Sequence, residues 1–317
     1  QTINDTNLAK LDGGAGRDTI SYRSSTNASG IELTLTTAGA TNFENLIGTI
    51  DAEITTGDAN ANYLAGCGFY CTKSVTDTVN GGDGNDMLFV AYRSQGLGSD
   101  MFEHVKDYWP YANNYTTEGT FRNGSSVYWV SSGTATLNGG SGDDILFGAE
   151  GEDVLDGGTG QDNLIGGRGI DTFVIRAGDG STTLSEADVI QDFKDDTDLI
   201  GLDGGLQFSD LTIEQGTGNY AHMILISITS TGEYMAVMHT QGQNGEATIT
   251  SSDITAADFV STSTADQTFS GTSGSDTFIG GAGSDTFATG AGTDVIYGHG
   301  GDDTITVNGS GSKTING

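Results

Sequence analysis

The chain has 317 residues, of which 51 are glycine and one is proline, and its 43 acids against 11 lysines and arginines leave a formal charge of −32. That balance excludes a nucleic-acid binder, which needs a basic footprint, and it would drive a compact chain apart unless cations neutralised it. No run approaches the roughly 18 apolar residues that a membrane-spanning helix requires.

Residues 1–90 are expected to form an N-terminal, partly divergent β-roll. The opening QTINDTNLAKLDGG lacks a charged-then-apolar leader pattern. Either a leader has been removed or the chain begins inside a longer protein. GGAGRDTIS (Gly13 to Ser21) starts a glycine-and-acid pattern that resumes at GDANANYLA (Gly57 to Ala65) and TDTVNGGDGNDMLF (Thr76 to Phe89). Cys67 and Cys71 are the only cysteines, separated by GFY. In an oxidising exterior they can pair across a tight loop; two free thiols are the alternative.

Residues 91–132 break the pattern. From Asp86 to Ala135 is 49 residues where the repeat would have nine, so one turn is opened to admit an aromatic-rich lobe. Both tryptophans, the single proline and five of the eleven tyrosines lie in it. A connection this long without repeat character is usually functional or disordered, and its aromatic content argues against disorder.

Residues 133–176 are the most regular part. Asp144, Asp153, Asp162 and Asp171 fall nine residues apart, each followed two places later by Leu146, Leu155, Leu164 or Phe173. Residues 177–262 then carry ADVIQDFKDDTDLIGL (Ala187 to Leu202) and the alternating runs HMILISI and EYMAVM, read as a β-strand segment between two rolls. Residues 263–317 hold the last block, GTSGSDTFIGGAGSDTFATGAGTDVIYGHGGDDTIT from Gly271 to Thr306.

These blocks closely resemble the RTX family of secreted bacterial proteins, whose repeat is GGxGxDxUx with U a large apolar residue. The segment at 187–202 resembles the DxIxDFxxxxDxI stretch found beside such repeats. The resemblance implies an all-β, right-handed parallel β-roll (β-solenoid) with stacked calcium-binding nonapeptide turns and the inserted lobe. It also implies several bound Ca2+ ions, an extracellular (secreted or cell-surface) location and type I secretion. The family's usual C-terminal secretion signal is not evident here.

The residue types fit that chemistry. Glycines suit positions of positive φ. The large apolar residue of each repeat points into a narrow core. Two nonapeptides make one coil, so Asp144 stacks with Asp162, Asp153 with Asp171, Asp276 with Asp294 and Asp285 with Asp303. With Asp86, these nine aspartates are the expected metal ligands. Calcium takes six to eight oxygens in flexible geometry, which such turns supply, whereas magnesium demands a stricter octahedron. The absence of nitrogen and sulfur donors in the repeats disfavours zinc. An aspartate that merely starts a turn is the alternative. Without metal, stacked carboxylates repel and the small core cannot offset chain entropy, so metal binding is expected to be folding. Ala135, Asn62 and Lys313 occupy aspartate places, with weaker sites or none expected there. Lys313 is a candidate to replace the last calcium with its own ammonium and cap the roll.

The 91–132 lobe is expected to carry the partner-facing chemistry. Tyr92, Tyr108, Tyr111, Tyr128, Trp109 and Trp129 offer flat faces for sugar rings, and Arg93, His104, Lys106 and Arg122 offer charge for a carboxylate or sulfate. An acidic polysaccharide is the partner these groups fit, and a self-packed lobe is the alternative. A lyase acting on uronate would use Arg93, Arg122 or calcium to neutralise the carboxylate, and His104, Lys106 or Tyr108 to move protons. Spacing alone does not place them round one sugar, so whether the chain is an enzyme stays open, with polysaccharide lyase the best guess and catalytic residues unassigned. A third alternative is a structural repeat module of an adhesin, surface-layer protein or larger secreted enzyme. GxSxG and HExxH are absent. His222 and His239 are scattered, and His299 reads as a tolerated turn residue.

Overall fold

The computed structural model describes residues 12, 13, 15, 18–21, 31–35, 43–48, 53–67, 76–91, 134–239 and 249–317. Among them are 24 strands, a few single-turn 3-10 segments and no α-helix. The first half comprises β1 (Thr19–Ser21), β2 (Ile31–Thr34), β3 (Asn45–Ile47), β4 (Glu53–Thr56), β5 (Tyr63–Cys67), β6 (Asp77–Asp83), β7 (Met87–Ala91), β8 (Ala135–Ser141), β9 (Ile145–Glu150), β10 (Val154–Thr159), β11 (Asn163–Arg168) and β12 (Thr172–Arg176). The second comprises β13 (Asp188–Ile190), β14 (Leu199–Asp203), β15 (Leu211–Gln215), β16 (Met223–Ile228), β17 (Tyr234–His239), β18 (Phe259–Ser261), β19 (Thr268–Ser270), β20 (Thr277–Ile279), β21 (Thr286–Ala288), β22 (Asp294–Tyr297), β23 (Thr304–Thr306) and β24 (Lys313–Asn316).

From β1 to β14, consecutive strands alternate between two sheets. One runs β1-β3-β5-β7-β9-β11-β13-β17-β16-β15 and the other β18-β14-β12-β10-β8-β6-β4-β2. Each strand of the regular region pairs in parallel with the next but one, its partners lying two nonapeptides apart, as in Val154↔Thr136 and Asn163↔Ile145. A chain that returns to the same sheet every two nonapeptides is winding as a β-roll. Leu146, Leu155, Leu164 and Phe173 all point inward and are buried in one continuous core with Leu64, Leu88 and Leu137.

The two sheets pass without a break through the position of the inserted segment. β6 pairs with β8 and β7 with β9, as in Asn80↔Asn138 and Leu88↔Leu146, although far more than two nonapeptides of chain separate them. Asn138 Nδ2 also donates to Asn80 Oδ1 at 2.7 Å, so side chains as well as main chain meet across the gap. The roll therefore closes on either side of the segment as though it were not there. Residues 92–133, and with them the expected lobe, lie outside the described residues, as does Cys71.

The segment after the regular repeats continues both sheets. β17 pairs in parallel with β13, and β15, β16 and β17 form an antiparallel meander. β18 pairs in parallel with β14. Two three-stranded sheets, β19-β21-β23 and β20-β22-β24, then form a second roll around Phe278, Phe287 and Ile296. Its first coils hang on β18 through Ser261 N–H, which donates to the Gly280 carbonyl at 2.9 Å. His299 adds a second tie. It has φ 62°, and its Nε2 lies 2.9 Å from the Phe259 carbonyl oxygen. Read from sequence as a tolerated turn residue, His299 docks the roll onto the preceding strand.

Candidate metal centres

Each repeat turn uses its glycines for two different reasons. In the regular turns of the first roll the glycines at the second and fourth places sit at positive φ, as at Gly140 (110°) and Gly142 (129°), where a side chain is strained and a Cβ would also collide with a carbonyl oxygen of the preceding coil. The first glycine is needed for space. A Cβ on Gly148 would lie 2.6 Å from Asp153 Oδ2 and 2.6 Å from the Gly166 carbonyl oxygen of the next coil. The same pair of oxygens, from the repeat aspartate and from the following coil's first glycine, closes over Gly139. So over a first glycine a carboxylate oxygen and a carbonyl oxygen converge from adjacent coils.

The other carboxylate oxygen builds a ladder. Asp162 Oδ1 accepts the backbone N–H of Asp144 at 2.7 Å, and Asp144 Oδ1 accepts that of Asp86 at 2.6 Å. On the opposite side Asp171 Oδ1 accepts from Asp153 at 3.0 Å, and Asp153 Oδ1 accepts from Ala135 at 2.8 Å. The second roll repeats the device, Asp294 accepting from Asp276 at 3.1 Å and Asp303 from Asp285 at 2.9 Å. The aspartates expected to stack therefore do so, through main chain rather than through carboxylate contact.

What remains is a set of buried oxygens with nothing to bind. Oδ2 of Asp86, Asp144, Asp153 and Asp162 is inaccessible to water and has no hydrogen-bond partner. Such orphaned acceptors are rare in folded proteins and call for an explanation. Loss of water pushes these carboxyls up, Asp144 to about 6, Asp86, Asp162 and Asp171 to about 7, and Asp153 to about 8. Nearby acids add to the rise, and one backbone N–H opposes it in each case. A cation with all-oxygen donors would supply the missing charge and the missing bonds, and the donor set and glycine cradles fit calcium.

In the second roll, Asp285 Oδ2 accepts from Gly281 N–H at 3.0 Å, and Asp276 Oδ2 from Thr272 N–H at 2.7 Å. Asp294 differs from its sisters because Lys313 Nζ lies 2.8 Å from its Oδ2. Tyr92, Arg93, His104, Lys106, Tyr108, Trp109, Tyr111, Arg122, Tyr128 and Trp129 lie outside the described residues.

The ladders extend past the glycine-rich repeats, which sequence reasoning missed. Asp188 Oδ1 accepts Asp162 N–H at 3.0 Å, and Asp198 Oδ1 accepts Asp171 N–H at 3.1 Å. Burial, then the Asp162 charge, pushes Asp188 up to about 9. At the other end Glu44 Oε2 accepts Asp18 N–H at 2.9 Å. A signal was present: Asp188-Val189-Ile190 and Asp198-Leu199-Ile200 keep the acid-x-apolar triplet of the nonapeptide after its glycines have gone. Asp192 caps the last regular turn differently, accepting Gly166 and Gly167 N–H at 3.0 and 2.9 Å. The two histidines that look scattered in sequence meet on the β16–β17 hairpin, with ring centres 5.7 Å apart.

A family model describing the RTX calcium-binding nonapeptide repeat matches residues 76–90, 131–173 and 270–305, in four copies. The chain carries RTX repeats. These nonapeptides bind Ca2+, several copies are present, and the repeats are typical of secreted bacterial proteins. No match was found among curated proteins. The match covers Asp86, Asp144, Asp153, Asp162, Asp171, Asp276, Asp285, Asp294 and Asp303, and it stops short of Asp188, Asp198 and Lys313. Among the described residues, no helix is long and apolar enough to cross a membrane.

Proposed function

We propose that this is an extracellular protein whose RTX β-roll folds on calcium and presents the 91–132 excursion to an acidic polysaccharide or similar partner. The observation that carries the calcium part is the row of buried, unpartnered Oδ2 atoms at Asp86, Asp144, Asp153 and Asp162. Those four, with Asp171, Asp276, Asp285 and Asp303, are the proposed ligands. Asp294 is treated separately below. Right-handed winding follows from the crossover rule for parallel strands. We divide the chain at 1–90, 91–132, 133–176, 177–262 and 263–317, the first and third segments sharing one pair of sheets.

The partner-facing part rests on composition and on the undisturbed register across the insertion. A departure that leaves β6–β8 and β7–β9 paired is anchored at both ends by rigid coils. In low-calcium cytosol the chain would remain loose, and it would fold on export.

The test runs calcium-loaded protein against alginate, hyaluronan, chondroitin, pectate and glucuronan, with mobility and ultraviolet absorbance both recorded. Retardation on an acidic polymer, lost when residues 92–133 are replaced by a short glycine-serine linker, is the expected result. Growth of unsaturated-uronate absorbance would make the protein a lyase instead. No retardation on any polymer, with circular dichroism confirming the folded state, would leave a structural module of a larger secreted protein.

A further inference from the structure

One coil of the second roll carries its own cation. Lys313 stands across from Asp294 in the β22–β24 pairing, where the regular two-nonapeptide register would have placed Ser312. Its Nζ lies 2.8 Å from Asp294 Oδ2, 2.8 Å from the Gly292 carbonyl oxygen and 3.5 Å from that of Ser310. The lysine side chain is 6 % exposed and the aspartate 0 %. An ammonium group has three donors and no acceptor. Here it gathers one carboxylate and two turn carbonyls, the donor types that converge in the sister turns.

A second departure occurs in the same turn. Where other repeats have their first glycine, five residues before the aspartate, this one has Thr289, which is fully buried. In the sister turn at Gly148 a Cβ would collide with the carboxylate and the neighbouring carbonyl. Thr289 fills that place and turns its Oγ1 toward the Asn308 carbonyl oxygen at 3.2 Å.

We propose that Lys313 is a built-in substitute for calcium, clamping Asp294, Gly292 and Ser310 so that this coil closes without metal. The proposal rests on the calcium role assigned to the sister turns. It makes the β22–β24 pair a metal-independent element within a roll that otherwise depends on the ion, and it removes one site from the count that the aspartate pattern suggests.

Hydrogen exchange on the full chain, in chelator and in calcium, tests this for the wild type, Lys313→Met and Lys313→Asp. In chelator, amides of 294–297 and 313–316 should stay protected in the wild type and exchange about tenfold faster or more in Lys313→Met, because a buried carboxylate loses its partner. Lys313→Asp should lose the same protection in chelator, regain it with calcium and bind one more equivalent. A wild type that exchanges in chelator as fast as Lys313→Met would overturn the proposal. Should the variants fail to fold, amine acylation of the wild type in chelator decides: Lys313 should label about tenfold or more slowly than exposed Lys194, and equal rates would count against the clamp. If the wild type binds no calcium at all, the role of the sister turns fails, whereas protection in chelator still decides the lysine clamp.

Discussion

The backbone N–H of Asp144 donates to Oδ1 of Asp162, on the next coil, at 2.7 Å, while Oδ2 of Asp162 is buried without a partner. One carboxylate thus joins two coils with one oxygen and offers the other to a cation. Asp162→Asn keeps an acceptor for the Asp144 N–H but removes the charge. Calorimetry should show calcium affinity at the adjoining site falling by on the order of tenfold or more, since a hydrogen bond or contact to a charged group is worth about 1.5–3 kcal/mol. Unchanged affinity and stoichiometry would mean that Oδ2 of Asp162 does not face the ion.

The first glycine of a turn should be far less replaceable than a turn glycine with open space beside it, such as Gly274. Gly148→Ala would place Cβ 2.6 Å from both Asp153 Oδ2 and the Gly166 carbonyl oxygen. At Gly274 the nearest atom to a new Cβ is Thr272 Oγ1 at 3.6 Å, an ordinary contact. In calcium, Gly148→Ala should lose about 2–4 kcal/mol by urea unfolding, through overpacking and a damaged site, and Gly274→Ala less than about 0.5 kcal/mol. Equal losses would remove the steric role assigned to the first glycine.

The metal-free roll should behave oppositely to most proteins as pH changes. Burial raises the carboxyls of Asp144, Asp162 and Asp153 to about 6, 7 and 8 from an unfolded 3.8. Below pH 4 both states are protonated and the ladders cost nothing. Between about pH 4 and pH 8 the unfolded chain ionises first, so stability contributed by the protonated ladders is lost as pH rises. Chelated protein should therefore show a melting transition near pH 4 that falls in temperature as pH rises and is lost by about pH 7.5. Calcium affinity should rise over the same range, because the ion displaces those protons. A melting temperature that climbs with pH in chelator would contradict the assignment of these groups.

Arg176 ties three segments by side chain alone. Its guanidinium meets Asp156 at 2.7 Å, Asp179 at 2.7 Å and Asp203 at 2.6 Å, from β10, the loop after β12 and β14. Arg176→Ala leaves three carboxylates facing one another. Discounting for its one-third exposure, thermal unfolding should report a loss of roughly 1–2 kcal/mol that shrinks at high salt. Arg176→Lys should rescue little, because a single ammonium cannot reproduce the fork.

How much of this was legible depended on how strictly each stretch kept the repeat. Asp144, Asp153, Asp162 and Asp171, nine apart with an apolar residue two places on, dictated coil length, core and stacking, and the two-nonapeptide register follows from them. Asp188 and Asp198 were missed as ladder members because the glycines that mark a turn are absent beside them, although a parallel strand needs only the acid and the apolar residue to stack. The continuity of one roll across residues 92–133 was legible as a turn opened between Asp86 and Ala135, but not which strands pair across it. Sequence separation says nothing about whether two strands meet, and β6 and β8 pair, Thr78↔Thr136, across the whole of that segment. His299 looked incidental since its partner, the Phe259 carbonyl, is 40 residues away.

If the aspartate ladders make folding conditional on calcium, a calcium titration of chelated full-length protein at pH 7.5, followed by circular dichroism and small-angle X-ray scattering, should reveal it. The expected result is an expanded chain with little β signal in chelator, collapsing cooperatively to a compact β-rich particle as calcium is added, with magnesium at the same concentration far less effective. The same compact β-rich particle in chelator, unchanged by calcium, would contradict the dependence.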